Sequence, residues 1–295
     1  MLFAEVSVRA FEIRGEKEGL LCRDGIPMFE VEDRFGGTRK TTRYLFWFPG
    51  KRTGEYVFPC IPAGKGQTNY ELMWNAWLDI VRSGLTSIDF GNADLSFWGR
   101  EDDYGVSTRL ERINCSTSID GILFSKSGET LEYCPSGRRG HYSVPARTTR
   151  IATDAFRFCR QLTSVEIPEG VETISTHAFE GCWNLVSVKF PGTLRRIEDE
   201  VFKNCFRLQA VAIPAKCHVG SRCFENCIRL GNVSLGPECF VDSFAFEGCK
   251  TLQSISAGTN CEGMFPESFL PETIRVKLRN SSGVKDRFGV KYVFV

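Results

Sequence analysis

The sequence predicts a right-handed solenoid in which each repeat lays one short strand beside the last on one face and returns behind it by an irregular or briefly helical path. Three observations carry this. Phenylalanine recurs at Phe156, Phe179, Phe202, Phe224 and Phe246, at intervals of 23, 23, 22 and 22 residues. The other apolar positions keep step with it: Ile151, Ile174, Ile197, Val219 and Val241 five residues ahead, Cys159, Cys182, Cys205, Cys227 and Cys249 three behind, then Leu162, Leu185, Leu208, Leu230 and Leu252. Each unit then alternates: Val165, Val188, Val211, Val233 and Ile255 are followed two residues on by Ile167, Phe190, Ile213, Leu235 and Ala257.

Self-similarity at a period of roughly 20 to 29 residues around an L-x-x-L-x-L core marks a leucine-rich repeat solenoid. In "LTSVEIP" the side chains of Leu162, Val165 and Ile167 face inward, because neighbours along a strand point to opposite faces. Pro168, Pro191 and Pro214 end the first three strands, since proline has no N–H to donate to a ladder. The "AFxxC" block is the return, packing Phe and Cys beneath the strand layer.

Along the chain, residues 1–100 read as irregular repeats of the same solenoid with a hairpin inserted at about 24–59. There "RDGIPMFEVEDRFGGTRKTTRYLFWFPGKRTGEYVFP" sets two strands around Gly36-Gly37. Trp74, Trp77, Leu78 and Val81 fall at helical spacing, and Leu85, Ile88 and Phe90 make a repeat-like strand. Residues 101–257 hold the regular repeats and a second hairpin at about 119–145, where "DGILFSKSGETLEYCP" places apolar runs around a Ser-Gly turn. The phrases "FPGKRTGEYVFP" and "CPSGRRGHYSVP" repeat one another at the ends of the two hairpins, so they mark equivalent joints. Residues 258–295 hold the last repeat and a cap, with a strand at Ile274, Val276 and Leu278, a polar turn and a closing apolar strand over the last core layer.

The pattern I-x-x-x-A-F-x-x-C-x-x-L-x-x-V-x-I-P, as in "IATDAFRFCRQLTSVEIP", resembles the BspA-type leucine-rich repeat, known also from spirochaete surface proteins, from about 147 to 257. "SIDGILFSKSGETLEYCPSGRRGHYSVP" is similar to a hairpin-bearing repeat common in that family. The resemblance implies an adhesin-like binding protein, displayed on a cell surface or secreted, that engages protein partners without catalysis. An intracellular interaction scaffold is the alternative, and a glycan or small-ligand module a further one.

Charge supplies no global field: 37 Lys and Arg stand against 36 Asp and Glu, which argues against recruitment by nucleic acid or an anionic membrane surface. "MLFAEVSVRAFEIRG" shows no signal-peptide pattern, which keeps a cytoplasmic location open, and no apolar stretch is long enough to span a bilayer. A monomer is expected.

Chemistry-bearing residues read mostly as structure. "AKCHVGSRCFENC" brings Cys217, His218, Cys223 and Cys227 within zinc-like reach. However, Cys227 belongs to the repeat's cysteine column and Cys223 to the column of Ala155, Ala178, Val201 and Ala245, so both read as small buried groups. His177 falls in a variable slot shared with Asp154, Glu200, Arg222 and Phe244, expected to be exposed. Free thiols are favoured over inter-rung disulfides, because a whole column of cysteines fills an apolar slot and the count of 13 is odd. The basic clusters Arg138, Arg139, Arg147, Arg150 and Arg39, Lys40, Arg43 lie in or just after turns, without a phosphate-binding glycine pattern, and read as solvated charge. No catalytic constellation, metal set or cofactor motif emerges. What concentrates is a surface. Two outward columns, Ser164, Ser187, Ala210, Asn232, Ser254 and Glu166, Lys189, Ala212, Ser234, Ser256, read either as a partner-binding face or as soluble filler.

Overall fold

The computed structural model describes residues 53–58, 80, 84–91, 93 and 109–263 with their side chains, and strands at 19–23, 26–35, 38–45, 67–72, 94–97, 284–285 and 291–292 by their backbone. Two compact units divide the chain, Met1–Gly121 and Ile122–Val295. The expected helical run at Trp74, Trp77, Leu78 and Val81 and the strand at Ile274, Val276 and Leu278 lie outside the described residues.

The first unit opens with an antiparallel meander of β1 (Gly19–Arg23), β2 (Ile26–Phe35) and β3 (Thr38–Leu45), so the hairpin around Gly36-Gly37 is present. Next come β4 (Thr53–Val57), β5 (Gln67–Leu72), β6 (Gly84–Asp89), β7 (Asp94–Phe97) and β8 (Arg112–Asn114), with the short β9 (Ser118–Ile119) after them. They alternate between two parallel ladders: β4, β6 and β8 pair in one, and β5 and β7 extend the meander from β3. Leu85, Ile88 and Phe90 of the anticipated repeat-like strand are buried, and Phe90 stacks on Phe58 with centroids 4.4 Å apart.

The second unit starts from the anticipated hairpin of β10 (Ile122–Phe124) and β11 (Thr130–Tyr133). Parallel strands follow: β12 (Gly140–Ser143), β13 (Arg150–Ile151), β14 (Leu162–Glu166), β15 (Thr173–Ile174), β16 (Ser187–Lys189), β17 (Arg196–Ile197), β18 (Ala210–Ile213), β19 (His218–Val219), β20 (Asn232–Leu235), β21 (Phe240–Val241), β22 (Ser254–Ala257) and β23 (Glu262–Gly263). Each repeat therefore lays down two strands, where the sequence pattern shows only the one with alternation. The even-numbered strands carry the Val-x-Ile alternation and form two sheets, β12-β14-β16 and β18-β20-β22, broken beside Phe190, the one aromatic in its column. The odd-numbered strands from β11 to β23 form a continuous ladder whose inward residues Leu131, Ile151, Ile174, Ile197, Val219 and Val241 are wholly buried. Each such two-residue strand holds a single inward residue, too short a signal for periodicity to reveal. At the C-terminal end β24 (Val284–Lys285) pairs antiparallel with β25 (Lys291–Tyr292).

The returns are irregular rather than helical; among the described residues only Ile80 is helical. Besides the shorter column of Lys216, Glu238 and Asn260, with φ between 59° and 61°, two columns hold left-handed backbone. One is Asp154, His177, Glu200, Arg222 and Phe244, with φ between 52° and 63°; the other is Phe158, Gly181, Asn204, Asn226 and Gly248, with φ between 58° and 73°. Left-handed residues strain an L-backbone unless they are Gly or Asn, and the second column is mostly that. The reason for the conformation is visible in the hydrogen bonds. The N–H groups of Phe158, Gly181, Asn204 and Asn226 each donate to a carbonyl of the next rung, at Glu180, Lys203, Glu225 and Glu247, over 2.7 to 2.9 Å. A backbone with no partner inside its own rung thus finds one outside it.

Beneath the strands, Phe156, Phe179, Phe202, Phe224 and Phe246 form one stack, with successive centroids 4.7, 5.2, 5.3 and 5.5 Å apart and planes within 9°. Tyr142 continues it above Phe156 at 5.9 Å. The cysteine column lies alongside. The thiols of Cys182, Cys205, Cys227 and Cys249 donate to the carbonyls of Phe156, Phe179, Phe202 and Phe224, two rungs' worth of side chain being tied in each case over 3.1 to 3.2 Å. The repeated phrase also has one structural meaning. Gly54 and Gly140 have φ of 79° and 73°, each is followed by a register shift, and Tyr56 and Tyr142 then pair with Ile88 and Val165.

A Cβ on Gly181 would stand 2.4 Å from Cδ1 of Phe158, at a φ that disfavours any side chain. Gly181→Ala is expected to lower unfolding free energy by about 1–3 kcal/mol, whereas Asn204→Gly, at the same slot one rung on, should change it by less than about 1 kcal/mol. Urea denaturation of the two variants checks this.

Candidate interaction face

The two outward columns fall in register. Ser164 pairs with Ser187 and Glu166 with Lys189 across β14 and β16; Ala210, Asn232 and Ser254 line up across β18, β20 and β22, as do Ala212, Ser234 and Ser256. Ser187, Lys189, Ala210, Ala212, Asn232, Ser234 and Ser256 are exposed, while Ser164, Glu166 and Ser254 are half-buried. β12 adds His141 and Ser143 at the head of the columns. The His141 ring spans two hydroxyls, with Nδ1 2.9 Å from Ser164 Oγ and Nε2 2.9 Å from Ser143 Oγ. Lys189 donates to the Glu166 carboxylate, which lowers the pKa of Glu166 and raises that of Lys189, and Ser254 Oγ donates to Asn232 Oδ1 over 2.8 Å. Beyond that one ion pair, the face from Ala210 to Ser256 is short-chained and neutral. It offers backbone-deep access along β18, β20 and β22.

The zinc-like set does not converge. His218 instead pairs with Asp242, Nε2 to Oδ2 2.8 Å, and packs edge-on to Phe240, while Cys223 and Cys227 are wholly buried in their columns. Among the described residues no three His, Cys, Asp or Glu side chains gather where a metal ion could be held. The eleven described cysteines are free and buried. Burial pushes the thiols of Cys159, Cys205, Cys223 and Cys227 well up, and those of Cys217 and Cys249 up to about 12, so none is a ready nucleophile. No helix among the described residues is long and apolar enough to cross a membrane.

The arginines after the second hairpin are more than solvated charge. Arg138 lies over the Tyr142 ring at 5.3 Å, Arg150 donates to Ser175 Oγ through Nε and Nη2, and the Arg147 guanidinium rests against Gly128. The other cluster, Arg39, Lys40 and Arg43, sits on strand β3.

His177 departs from its expected exposed slot. It is half-buried, because its left-handed backbone folds the ring back along the stack of returns, where charges alternate from rung to rung. Arg157 bridges Asp154 at 3.2 Å and Glu180 at 2.8 Å; His177 Nδ1 lies 3.2 Å from Glu180 Oε2 as an ion pair rather than an aligned hydrogen bond, and 3.8 Å from Glu200. Lys203 then joins Glu200 at 2.7 Å to Glu225 at 3.2 Å, and Arg222 reaches Glu247. The Glu180 carboxylate raises the pKa of His177. Burial works against ionising Glu180, but His177 and Arg157 outweigh it and hold that carboxyl below its ordinary value. The signal for this network was legible as two columns of opposite charge flanking Phe. A second cysteine column, Cys217, Cys239 and Cys261, was legible too, at the point where the repeat shortens by one residue.

The class is that of a leucine-rich β-solenoid of parallel strands, a fold that stacks its repeats into one continuous surface. Within it, residues 149–274 are a BspA type leucine-rich repeat region of six copies. Among solved structures the chain is similar to a leucine-rich cell surface protein from Faecalibacterium prausnitzii A2-165, with 22% identity and a TM-score of 0.53 over 71% of this chain and 60% of that one. It is also similar to a leucine-rich repeat protein from Eubacterium ventriosum ATCC 27560 (16% identity, TM-score 0.49, 72% and 63% covered) and to one from T. pallidum (22%, 0.42, 57% and 95%). The first likeness is one of fold, and the chain spans 60% of that protein's length. No curated protein matches the chain.

Two outcomes follow from the thiols and the charge network. In the folded protein the eleven described cysteines should resist iodoacetamide, and in denaturant without reductant they should all react, as intact mass will show; labelling of several of them before unfolding would contradict their burial. Because the pKa of His177 is raised above its ordinary 6.5, its stabilising contribution is full below that value and is lost as pH rises through the raised one. Stability should therefore decline as pH rises above about 6.5, and His177→Asn, which keeps a side chain suited to left-handed backbone, should flatten that part of the profile.

Proposed function

We propose that the chain is a non-catalytic, adhesin-like binding protein displayed at a cell surface, which holds a protein partner across the sheet face of Ser164, Glu166, Ser187, Lys189, Ala210, Ala212, Asn232, Ser234, Ser254 and Ser256. The observation that carries this reading is the register of the outward columns. A run of short Ala, Ser and Asn side chains in line on adjacent parallel strands lets a partner approach the backbone along several rungs. The description of the Faecalibacterium relative as a cell surface protein supports display there. A second reading, an interaction scaffold inside the cell, draws on the eleven free thiols, which suit a reducing compartment.

Lys189→Glu combined with Ser234→Arg places a reversed charge and a long side chain on the face. Captured partners should bind this variant at least about tenfold more weakly than the native protein, in a surface plasmon resonance titration at fixed ionic strength. Equal affinity would remove the sheet face from the reading, and protease protection of the chain on intact source cells would remove surface display.

A further inference from the structure

The residue that follows each column cysteine lies at the corner where the return turns into the sheet strand: Arg160, Trp183, Phe206, Ile228 and Lys250. Cys159, Cys182, Cys205, Cys227 and Cys249 are driven inward, so the next residue is forced outward. Only three large hydrophobic side chains among the described residues are exposed, and two of them, Trp183 at 40% and Ile228 at 38%, stand on this one column. Phe206 lies between them, its ring 5.9 Å from that of Trp183. An apolar run of this kind is unusual on a rung whose other outward residues are polar.

Its surroundings are of one sign. The adjoining column is Gln161, Asn184, Arg207, Arg229 and Thr251, so the corner holds four cations, Arg160, Arg207, Arg229 and Lys250, and no carboxylate. The acidic residues of the return, Glu180, Glu200, Glu225 and Glu247, already face cations of their own. Arg207 and Arg229 are exposed, and Arg207 donates to the neutral Asn184 Oδ1 over 3.4 Å. Arg160 covers a face of the Trp183 ring at 3.9 Å, and Asn184 Nδ2 donates to the Arg160 carbonyl over 2.7 Å, so the corner is held in place before anything binds. With one face of Trp183 covered and Phe206 tilted against it, the rings do not present the open flat platform that a sugar stacks on.

From this we infer that the corner column is a second docking surface, and that its occupant is an extended acidic segment of a protein partner carrying apolar side chains. At about 4.8 Å per rung, the five rungs from Arg160 to Lys250 span ~19 Å, the reach of about six extended residues at ~3.3 Å each. Such a segment running along the stack lays apolar side chains against the Trp183, Phe206 and Ile228 run and turns its carboxylates toward Arg207 and Arg229. The inference rests on the reading of the chain as an interaction solenoid, but not on the sheet face.

The test is selection of a displayed random heptapeptide library on the intact protein, followed by titration of the enriched peptides against three variants checked for native melting temperature. Peptides combining Asp or Glu with Leu, Ile or Phe should be enriched. Arg207→Glu plus Arg229→Glu should weaken them at least about tenfold, as should Trp183→Ser plus Ile228→Ser. Lys189→Glu plus Ser234→Arg should leave them unchanged, which separates this surface from the sheet face. Enrichment of basic or wholly polar peptides, undiminished binding to the charge-reversed variant, or loss only in the sheet-face variant would overturn the inference. So would a concentration-dependent dimer abolished by Trp183→Ser, which would make a second copy the occupant, or glycan capture that depends on Trp183.

Discussion

Much of each rung's backbone must find its hydrogen bonds on the neighbouring rungs, because the turns within a repeat satisfy only some of its N–H groups. In the strands the answer is ordinary parallel pairing. In the returns the column phenylalanines and the left-handed residues on either side of them turn their N–H along the stack: His177 donates to Asp199, Phe179 to Val201, Gly181 to Lys203, Asn204 to Glu225. A buried N–H left without an acceptor costs on the order of 1–3 kcal/mol, comparable to the strain of a left-handed non-glycine residue. The chain therefore accepts the strain where it must, at Phe158 for instance, and relieves it with Gly or Asn elsewhere.

That constraint fixes the translation from one rung to the next, and the core follows from it. Rings repeated at a strand spacing can only stack face to face with a slight offset, which is what the phenylalanine column does. Beside a ring that large the neighbouring slot must be small, and it must also serve a backbone carbonyl pointing at it. Cysteine does both: the thiol is compact, apolar and still a weak donor to the Phe carbonyl. The same inward pull on cysteine sets the following residue outward, so the exposed Trp183 and Ile228 are geometric consequences of the buried Cys182 and Cys227.

Much of this was legible in the sequence as columns. The phenylalanine, cysteine and leucine positions gave the rung, and the Val-x-Ile alternation placed Ser187, Lys189, Ala212 and Ser234 outward, where they are found. The second strand of each rung was not legible, because a pair such as Thr173-Ile174 holds a single inward residue and alternation needs at least two. The half-buried position of His177 is hidden in the sequence for a related reason. Its column looks variable by residue type, yet the types alternate in charge with the column beside it, and the distances from His177 to Glu180 and Glu200 show that the two face one another.

The sequence by itself determined the repeat length, the inward set and the class of fold, because burial of apolar side chains is a periodic demand and periodicity can be read one residue at a time. It also determined that the two hairpin ends are the same joint, through Gly54 and Gly140 at matching places. Tertiary structure alone decided which residues of different repeats touch. Arg157 with Glu180, Arg160 over Trp183, and Cys205 against the Phe179 carbonyl are contacts between rungs some 23 to 26 residues apart. Their partners are chosen by the register of stacking, and register belongs to the assembled ladder rather than to any one repeat.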